Sequence, residues 1–323
     1  MQKKIDIHVH AARKRIDVPF GNPMDSASHY ICDPEEMVQT LTAQGLGNAI
    51  LMSSGEAPCN GVHTLECYNQ DCMEIAKNSH GFFWWMCSID PVDLNTVEDR
   101  LRKYQQQGAV GIGEVMVNQW LDSPYMQALF CAAEKLKMPV LCHMSPDVGF
   151  SYGVSDRPGL PLLEQTLKEH PGLPYIGHSQ VFWLEISADC PKSGNAQRNG
   201  FGKGPVVREG TVERLLTNYP NLYADLSAFS GSCAVMRDEV FGAYFLERYQ
   251  NQLLFGTDTT NKKPVSHLRV FWIPCCGREN SAGKHTIKSA GTMPSACLGF
   301  KEEIKWMHRK WNFGKNLSRI IPA

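Results

Sequence analysis

The chain has 323 residues, of which 43% are apolar, and its formal net charge is −1. This length and apolar content allow a large buried core, in one domain or two, and predict a globular chain. The balanced charge and the lack of a basic stripe interleaved with aromatic residues argue against nucleic-acid binding. No apolar run approaches the length of a spanning helix, and no signal-peptide core follows the N-terminus, so we expect a cytoplasmic protein without membrane contact.

The twelve cysteines are many for that compartment, yet none forms a Cys-x-x-Cys pair. Cys87, Cys131 and Cys142 lie in apolar segments, so we interpret them as reduced packing residues. Cys275 and Cys276 are adjacent in a predicted loop, where reactivity or metal binding is the less favoured interpretation.

Short apolar, β-branched runs alternate with helical segments, which is typical of βα units and not of an all-β fold. Two helices have clear starts, because Asp33 and Ser123 can cap helices whose first residues are Pro34 and Pro124. Each interval between strands is long enough for one crossover helix. The predicted strands are 4–9, 48–52, 82–88, 109–115, 139–143, 174–178, 221–226 and 253–258.

Eight strand–helix repeats predict an α/β fold, namely a (β/α)₈ TIM barrel that occupies residues 1–323 as a single domain. A doubly wound open sheet is the alternative, but no Gly-x-Gly-x-x-Gly sequence follows the first strand. The extra length is concentrated in long βα loops at the C-terminal face, where such barrels build their active sites. We expect functional roles for these loops, with a mobile loop as the alternative for the third. The loops are 11–32, 179–204 and 259–297.

The first strand contains the alternating sequence IDIHVH. In a regular strand its three apolar side chains share one face, and Asp6, His8 and His10 share the other. An exposed edge with a solvated polar face is the simpler alternative. In a barrel the polar face points inward, which predicts that Asp6 lies one layer below the histidines and either orients a ligand or forms a salt bridge at the barrel floor.

Polar residues recur at the C-terminal ends of the predicted strands, and in a barrel these ends converge on one mouth. Burying such groups without partners costs on the order of several kcal/mol each, and one divalent cation can satisfy them together. Imidazole nitrogen mixed with carboxylate oxygen suits Zn²⁺, or else Mn²⁺ or Fe²⁺, and leaves a coordination position for water. The residues are His8, His10, Glu114, His143, His178 and Asp258.

This set resembles the metal-dependent barrels of the amidohydrolase superfamily, and the chain length is most similar to the branch called amidohydrolase type 2. That branch includes small lactonases and non-oxidative decarboxylases of aromatic and muconate acids. The resemblance implies that His8, His10 and Asp258 bind the metal and that His143 binds it or a second ion. Glu114 matches a strand-four Glu that ligates metal in some branches, including the lactonase-like one, and that many decarboxylases lack.

The resemblance also implies a chemistry. A divalent ion makes hydroxide available at neutral pH, and Asp258 is the candidate general base and acid. His178 is the candidate donor to the developing oxyanion, or else a metal ligand. We predict hydrolysis of an amide, lactone or other ester, which Glu114 favours over decarboxylation of a metal-chelating acid. A non-catalytic barrel with a structural metal is the third hypothesis.

Basic residues are concentrated near the predicted mouth. The segment 259–297 contains six Lys and Arg residues and the single acid Glu279, and Arg13 and Arg15 follow the first strand. A positive field concentrates anions, and one Arg can bind a carboxylate through two hydrogen bonds. We therefore expect a small carboxylated substrate, with Arg13 and Arg15 as candidate substrate-binding residues and a solvated loop as the alternative. The sequence is compatible with a homo-oligomer.

Overall fold

The computed structural model describes residues 4–17, 30–56 and 67–262. Its strands are β1 Lys4–Val9, β2 Ile16–Asp17, β3 Tyr30–Ile31, β4 Leu46–Leu51, β5 Phe83–Trp85, β6 Ile112–Val115, β7 Val140–Ser145, β8 Val154–Ser155, β9 Tyr175–His178, β10 Leu222–Asp225 and β11 Leu253–Leu254. Its helices are α1 Pro34–Ala43, α2 Asn69–Asn78, α3 Val97–Gln106, α4 Pro124–Leu136, α5 Pro161–Glu169, α6 Ser179–Leu184, α7 Asn195–Arg198, α8 Thr211–Asn218, α9 Ala228–Met236 and α10 Glu239–Arg248. Across these ranges, no helix combines the length and the apolar character that crossing a membrane requires.

Eight of these strands form a closed parallel barrel. One sheet has the order β1-β4-β5, and the other has the order β11-β10-β9-β7-β6. Parallel bridges join the two sheets at both edges, one between Val9 and Thr259 and the other between Cys87 and Ile112. The predicted TIM barrel is therefore confirmed, and the doubly wound open sheet is excluded. The eight barrel strands coincide with the eight predicted ones, although β11 is much shorter than predicted.

Two of the three predicted loops contain secondary structure of their own. Strands β2 and β3 pair antiparallel within the first loop, and helices α6 and α7 lie within the second. The third loop lies outside the described residues beyond Lys262, and so do Cys275 and Cys276. A further short strand, β8, pairs with the end of β7 and closes the segment that follows it.

The predicted helix caps are confirmed. The Asp33 carboxylate accepts a hydrogen bond from Glu36 N at 2.9 Å, and the Ser123 hydroxyl accepts one from Met126 N at 3.3 Å. Each such cap contributes about 1 kcal/mol, because it satisfies a backbone N–H that has no partner inside the helix.

The apolar core has two layers. Cys142 packs in the larger layer, between strands and helices, as predicted, and Cys87 packs there too. Cys131 is exposed on α4, so its interpretation as a packing residue is wrong. The smaller layer fills the barrel interior with Ile5, Ile7, Ile50, Met52, Met86, Val110, Leu141, Ile176, Tyr223 and Leu254.

A β-bulge interrupts the alternation of β1. Asp6 pairs with Ala49 and Val9 pairs with Leu51, so β1 has one residue more than β4 between these two pairs. Ile7 packs in the interior layer and Val9 in the outer one, and the extra residue lets His8 face inward as well. The prediction that Asp6 shares a face with the two histidines is therefore wrong.

Asp6 holds this bulge. Its carboxylate accepts hydrogen bonds from His8 N at 3.0 Å, from Thr257 N at 3.0 Å and from the Thr257 hydroxyl at 2.6 Å. Burial raises the pKa of Asp6 to about 7, although these hydrogen bonds favour the charged form. Asp6 thus positions His8 through a hydrogen bond with its backbone N–H.

Candidate metal centre

The six strand-end residues predicted from the sequence lie together at the C-terminal mouth of the barrel. Five of them, at the ends of β1, β6, β7 and β9, are buried. Asp258 follows β11, and 25% of its side chain is exposed. The cluster therefore opens to solvent on the side of Asp258.

One group of donors surrounds the two histidines of β1. His8 Nε2 and His10 Nε2 are 3.1 Å apart, and both lie 3.3 Å from Asp258 Oδ1. Glu114 Oε2 lies 3.5 Å from His8 Nε2 and 3.3 Å from His10 Nε2. Two imidazole nitrogens and two carboxylate oxygens that converge in this way form a donor set suited to Zn²⁺ or a similar ion.

A second group surrounds the other oxygen of Glu114. His143 Nδ1 lies 2.7 Å from Glu114 Oε1, and His178 Nε2 lies 3.6 Å from the same oxygen. Asp258 Oδ2 is 3.8 Å from His178 Nε2. Burial lowers the pKa of His143, although Glu114 opposes this, so the neutral ring that binds metals is favoured. The carboxylates of Glu114 and Asp258 therefore each face both groups of histidines.

Asp225, at the end of β10, orients two of the histidines. Its Oδ2 atom lies 2.7 Å from His8 Nδ1 and 3.0 Å from His178 Nδ1. A carboxylate only accepts, so both rings donate from Nδ1 and direct Nε2 towards the centre. Ser227 donates to Asp225 from its backbone N at 2.9 Å and from its hydroxyl at 2.6 Å. Sequence reasoning missed Asp225, although it ends the seventh predicted strand.

Close packing and backbone conformation fix Asp258. A Cβ at Gly256 would lie 2.9 Å from Asp225 Oδ1 and 3.0 Å from His8 Cβ, so only glycine lets the chain pass so near the site. Asp258 itself has a φ of 57°, a conformation that Asp adopts more readily than most residues. Its backbone N donates to His8 O at 2.8 Å, which ties Asp258 to β1.

The negative charges of Glu114, Asp225 and Asp258 are compensated without Lys or Arg, since no such residue in the described ranges forms an ion pair with these carboxylates. Burial opposes charge, yet the facing imidazoles hold the pKa of Glu114 and of Asp258 below the usual values. Burial likewise opposes protonation of His8, but Asp258 and Asp225 raise its pKa to about 10. Protons on His8 and His10 compensate the carboxylates here, and a divalent ion would replace these protons. The donor set therefore fits a metal ion.

Comparison with protein families identifies the chain. The family model Amidohydro_2, described as amidohydrolase, matches residues 5–279. The chain belongs to the amidohydrolase family. Members of this family are metal-dependent enzymes, so the resemblance inferred from the strand-end residues is confirmed. No curated protein matches this amidohydrolase.

Solved structures share the fold of this amidohydrolase at low sequence identity. 2,6-Dihydroxybenzoate decarboxylase from Rhizobium is 16% identical with a TM-score of 0.53, and the match covers 97% of this chain and 99% of that one. A "putative 2-pyrone-4,6-dicarboxylic acid hydrolase" from Pseudomonas putida is 13% identical with a TM-score of 0.50, over 97% and 98% of the two chains. These identities establish the fold alone, and the similar structures include both a decarboxylase and a hydrolase by name.

The two arginines predicted to bind substrate have other partners in this amidohydrolase. Arg13 forms ion pairs with Asp71 and Glu74 of α2. Arg15 lies 3.0 Å from Asp17, with its guanidinium over the ring of Tyr30. Neither arginine forms an ion pair with the metal-centre residues in the described part of the chain.

Two cations of the loop after β9 are also engaged. Lys192 forms an ion pair with Glu185 at 3.0 Å. Arg198 is buried and donates to two backbone carbonyl groups at 2.7 and 2.8 Å. The positive field that was predicted over the mouth therefore depends mainly on residues beyond 262, which lie outside the described residues.

Proposed function

We propose that this amidohydrolase is a metal-dependent hydrolase that uses water to cleave a small, carboxylated lactone, amide or ester. The position of Glu114 between the two donor groups supports this proposal most strongly. Its Oε2 faces His8 and His10, and its Oε1 faces His143 and His178. A strand-four Glu in this place resembles the lactonase-like pattern and is lacking in many decarboxylases of the branch.

We assign metal binding to His8, His10, Glu114 and Asp258, with His143 serving the same ion or a second one. Mixed nitrogen and oxygen donors favour Zn²⁺, with Mn²⁺ and Fe²⁺ as alternatives. When bound, such an ion lowers the pKa of a bound water and polarises the substrate carbonyl.

Asp258 is the proposed general base and acid. The lowered pKa keeps its carboxylate ionised at neutral pH, and its partial exposure leaves it accessible to water and substrate. It would take the proton of the attacking water and deliver it to the leaving group.

His178 is the proposed electrophilic residue. Its Nδ1 already donates to Asp225 at 3.0 Å, so Nε2 donates to a substrate oxygen only when both ring nitrogens carry protons. Asp225 stabilises that charged ring through a charge-assisted hydrogen bond. In the neutral ring, Nε2 instead offers a lone pair and His178 becomes a metal ligand.

We expect the enzyme to open the ring of 2-pyrone-4,6-dicarboxylate at least about tenfold faster, in kcat/KM, than that of its dimethyl ester, because the positive field that the sequence predicts over the mouth would favour the dianion. A screen of carboxylated lactones and ring acids against their neutral esters and amides, with CO₂ measured in parallel, tests this. Equal or faster turnover of the neutral compounds would refute the acidic-substrate proposal. Stoichiometric CO₂, from 2,6-dihydroxybenzoate or any other acid of the screen, would identify a decarboxylase.

The same interpretation suggests the domain organisation, the location and the partner of the enzyme. We propose that residues 1–323 form one catalytic domain in the cytoplasm, with a small molecule as its partner. Binding of nucleic acid is not part of this proposal, because the charge pattern that it requires is lacking in the sequence.

A further inference from the structure

The segment between β7 and β8 places an aromatic side chain on the metal centre. The ring of Tyr152 packs against the ring of His143, with centroids 4.4 Å apart and planes tilted by 45°. Burial, and after it the Glu114 and Asp258 carboxylates, raise the pKa of the Tyr152 phenol, so the hydroxyl keeps its proton. Within the described ranges, this hydroxyl has no hydrogen-bond partner.

Other residues hold this segment in place. Arg198, 6% exposed, donates to Pro146 O at 2.7 Å and to Asp156 O at 2.8 Å, and so ties together the two ends of the segment. The Asn118 side chain accepts a hydrogen bond from Gly149 N at 2.6 Å. The position of Tyr152 is therefore fixed without any contribution from its hydroxyl.

The contact with His143 also depends on the next residue. Gly153 has a φ of 106°, and a Cβ at this position would lie 2.6 Å from His143 O. Glycine thus lets the segment return to β7 directly above the histidine, where Tyr152 covers the ring. A phenylalanine at position 152 would make the same ring contact, so packing against His143 does not require the hydroxyl.

We propose that Tyr152 is a substrate-binding residue of this centre, whose phenol donates a hydrogen bond to an oxygen atom of the substrate. This inference rests on the proposed hydrolytic function. The donor is neutral and its position is preorganised, so it suits an oxygen on which negative charge develops during attack by water. Tyr152 lies nine residues beyond the strand-end His143, and no strand-end pattern points to it.

Binding of phenylphosphonate to the zinc-loaded protein tests the assignment, because its tetrahedral oxyanion resembles the intermediate of hydrolysis. We expect Tyr152→Phe to weaken binding, measured by calorimetry, at least about tenfold, while zinc content and melting temperature match the wild type. Tyr219→Phe is the matched control. It removes a tyrosine hydroxyl that donates to Glu164 at 2.9 Å in the helix layer, and it should leave phenylphosphonate binding unchanged.

The possible results separate this inference from the proposed function. Equal affinity of wild type and Tyr152→Phe would overturn the role of Tyr152 alone. Loss of zinc or of fold in Tyr152→Phe would also overturn it, because the hydroxyl would then be structural. Zinc-loaded wild type that does not bind phenylphosphonate would overturn the proposed hydrolytic site together with the inference.

Discussion

Asp258→Asn is expected to leave the fold intact and to lower kcat by about a hundredfold or more. The amide cannot take a proton from water, and it removes one of the negative charges that face His8 and His10 at 3.3 Å. Steady-state turnover of a substrate found in the screen, with circular dichroism and metal content measured on the same sample, provides the test.

Asp99→Asn is a suitable control, because it removes the same charge at an exposed position on α3 that does not belong to the donor groups. The control should retain wild-type turnover. Wild-type kcat in Asp258→Asn would show that another group transfers the proton.

The double variant His8→Ala/His10→Ala is expected to lose its transition metal and its activity together. It removes two nitrogens that lie 3.1 Å apart at the centre of the first donor group, and it leaves only oxygen donors there. Elemental analysis of the purified variant measures the metal, and a thermal melt checks that the barrel still folds. His80→Ala, a change at a histidine in the turn after α2, should keep the metal. Full metal content in the double variant would contradict the assignment of these ligands.

The barrel could be predicted from the sequence because each strand is a short apolar run between helical segments. The bulge in β1 could not, since the alternation of IDIHVH is regular as written. The bulge depends on the hydrogen bonds of Asp6 with Thr257, which is 251 residues away. Local pattern carries no information about such a partner.

The site residues also differ in whether the sequence alone could predict their positions. The histidines and acids at strand ends come together because parallel strands of a barrel converge on one mouth. Arg13 lies just beyond such a strand end, but its direction is set by Asp71 and Glu74 of α2, which sequence proximity does not reveal. Asp225 also lies at the end of a predicted strand, but its role depends on its contacts with His8 and His178, which the sequence does not show.

Elemental analysis of wild-type protein purified without added metal tests the central claim most directly, when it is combined with an activity assay before and after chelation. We predict at least one transition-metal ion per chain, with activity lost on chelation and restored by Zn²⁺, Mn²⁺ or Fe²⁺. Metal-free protein that is folded and fully active would contradict the assignment of this centre.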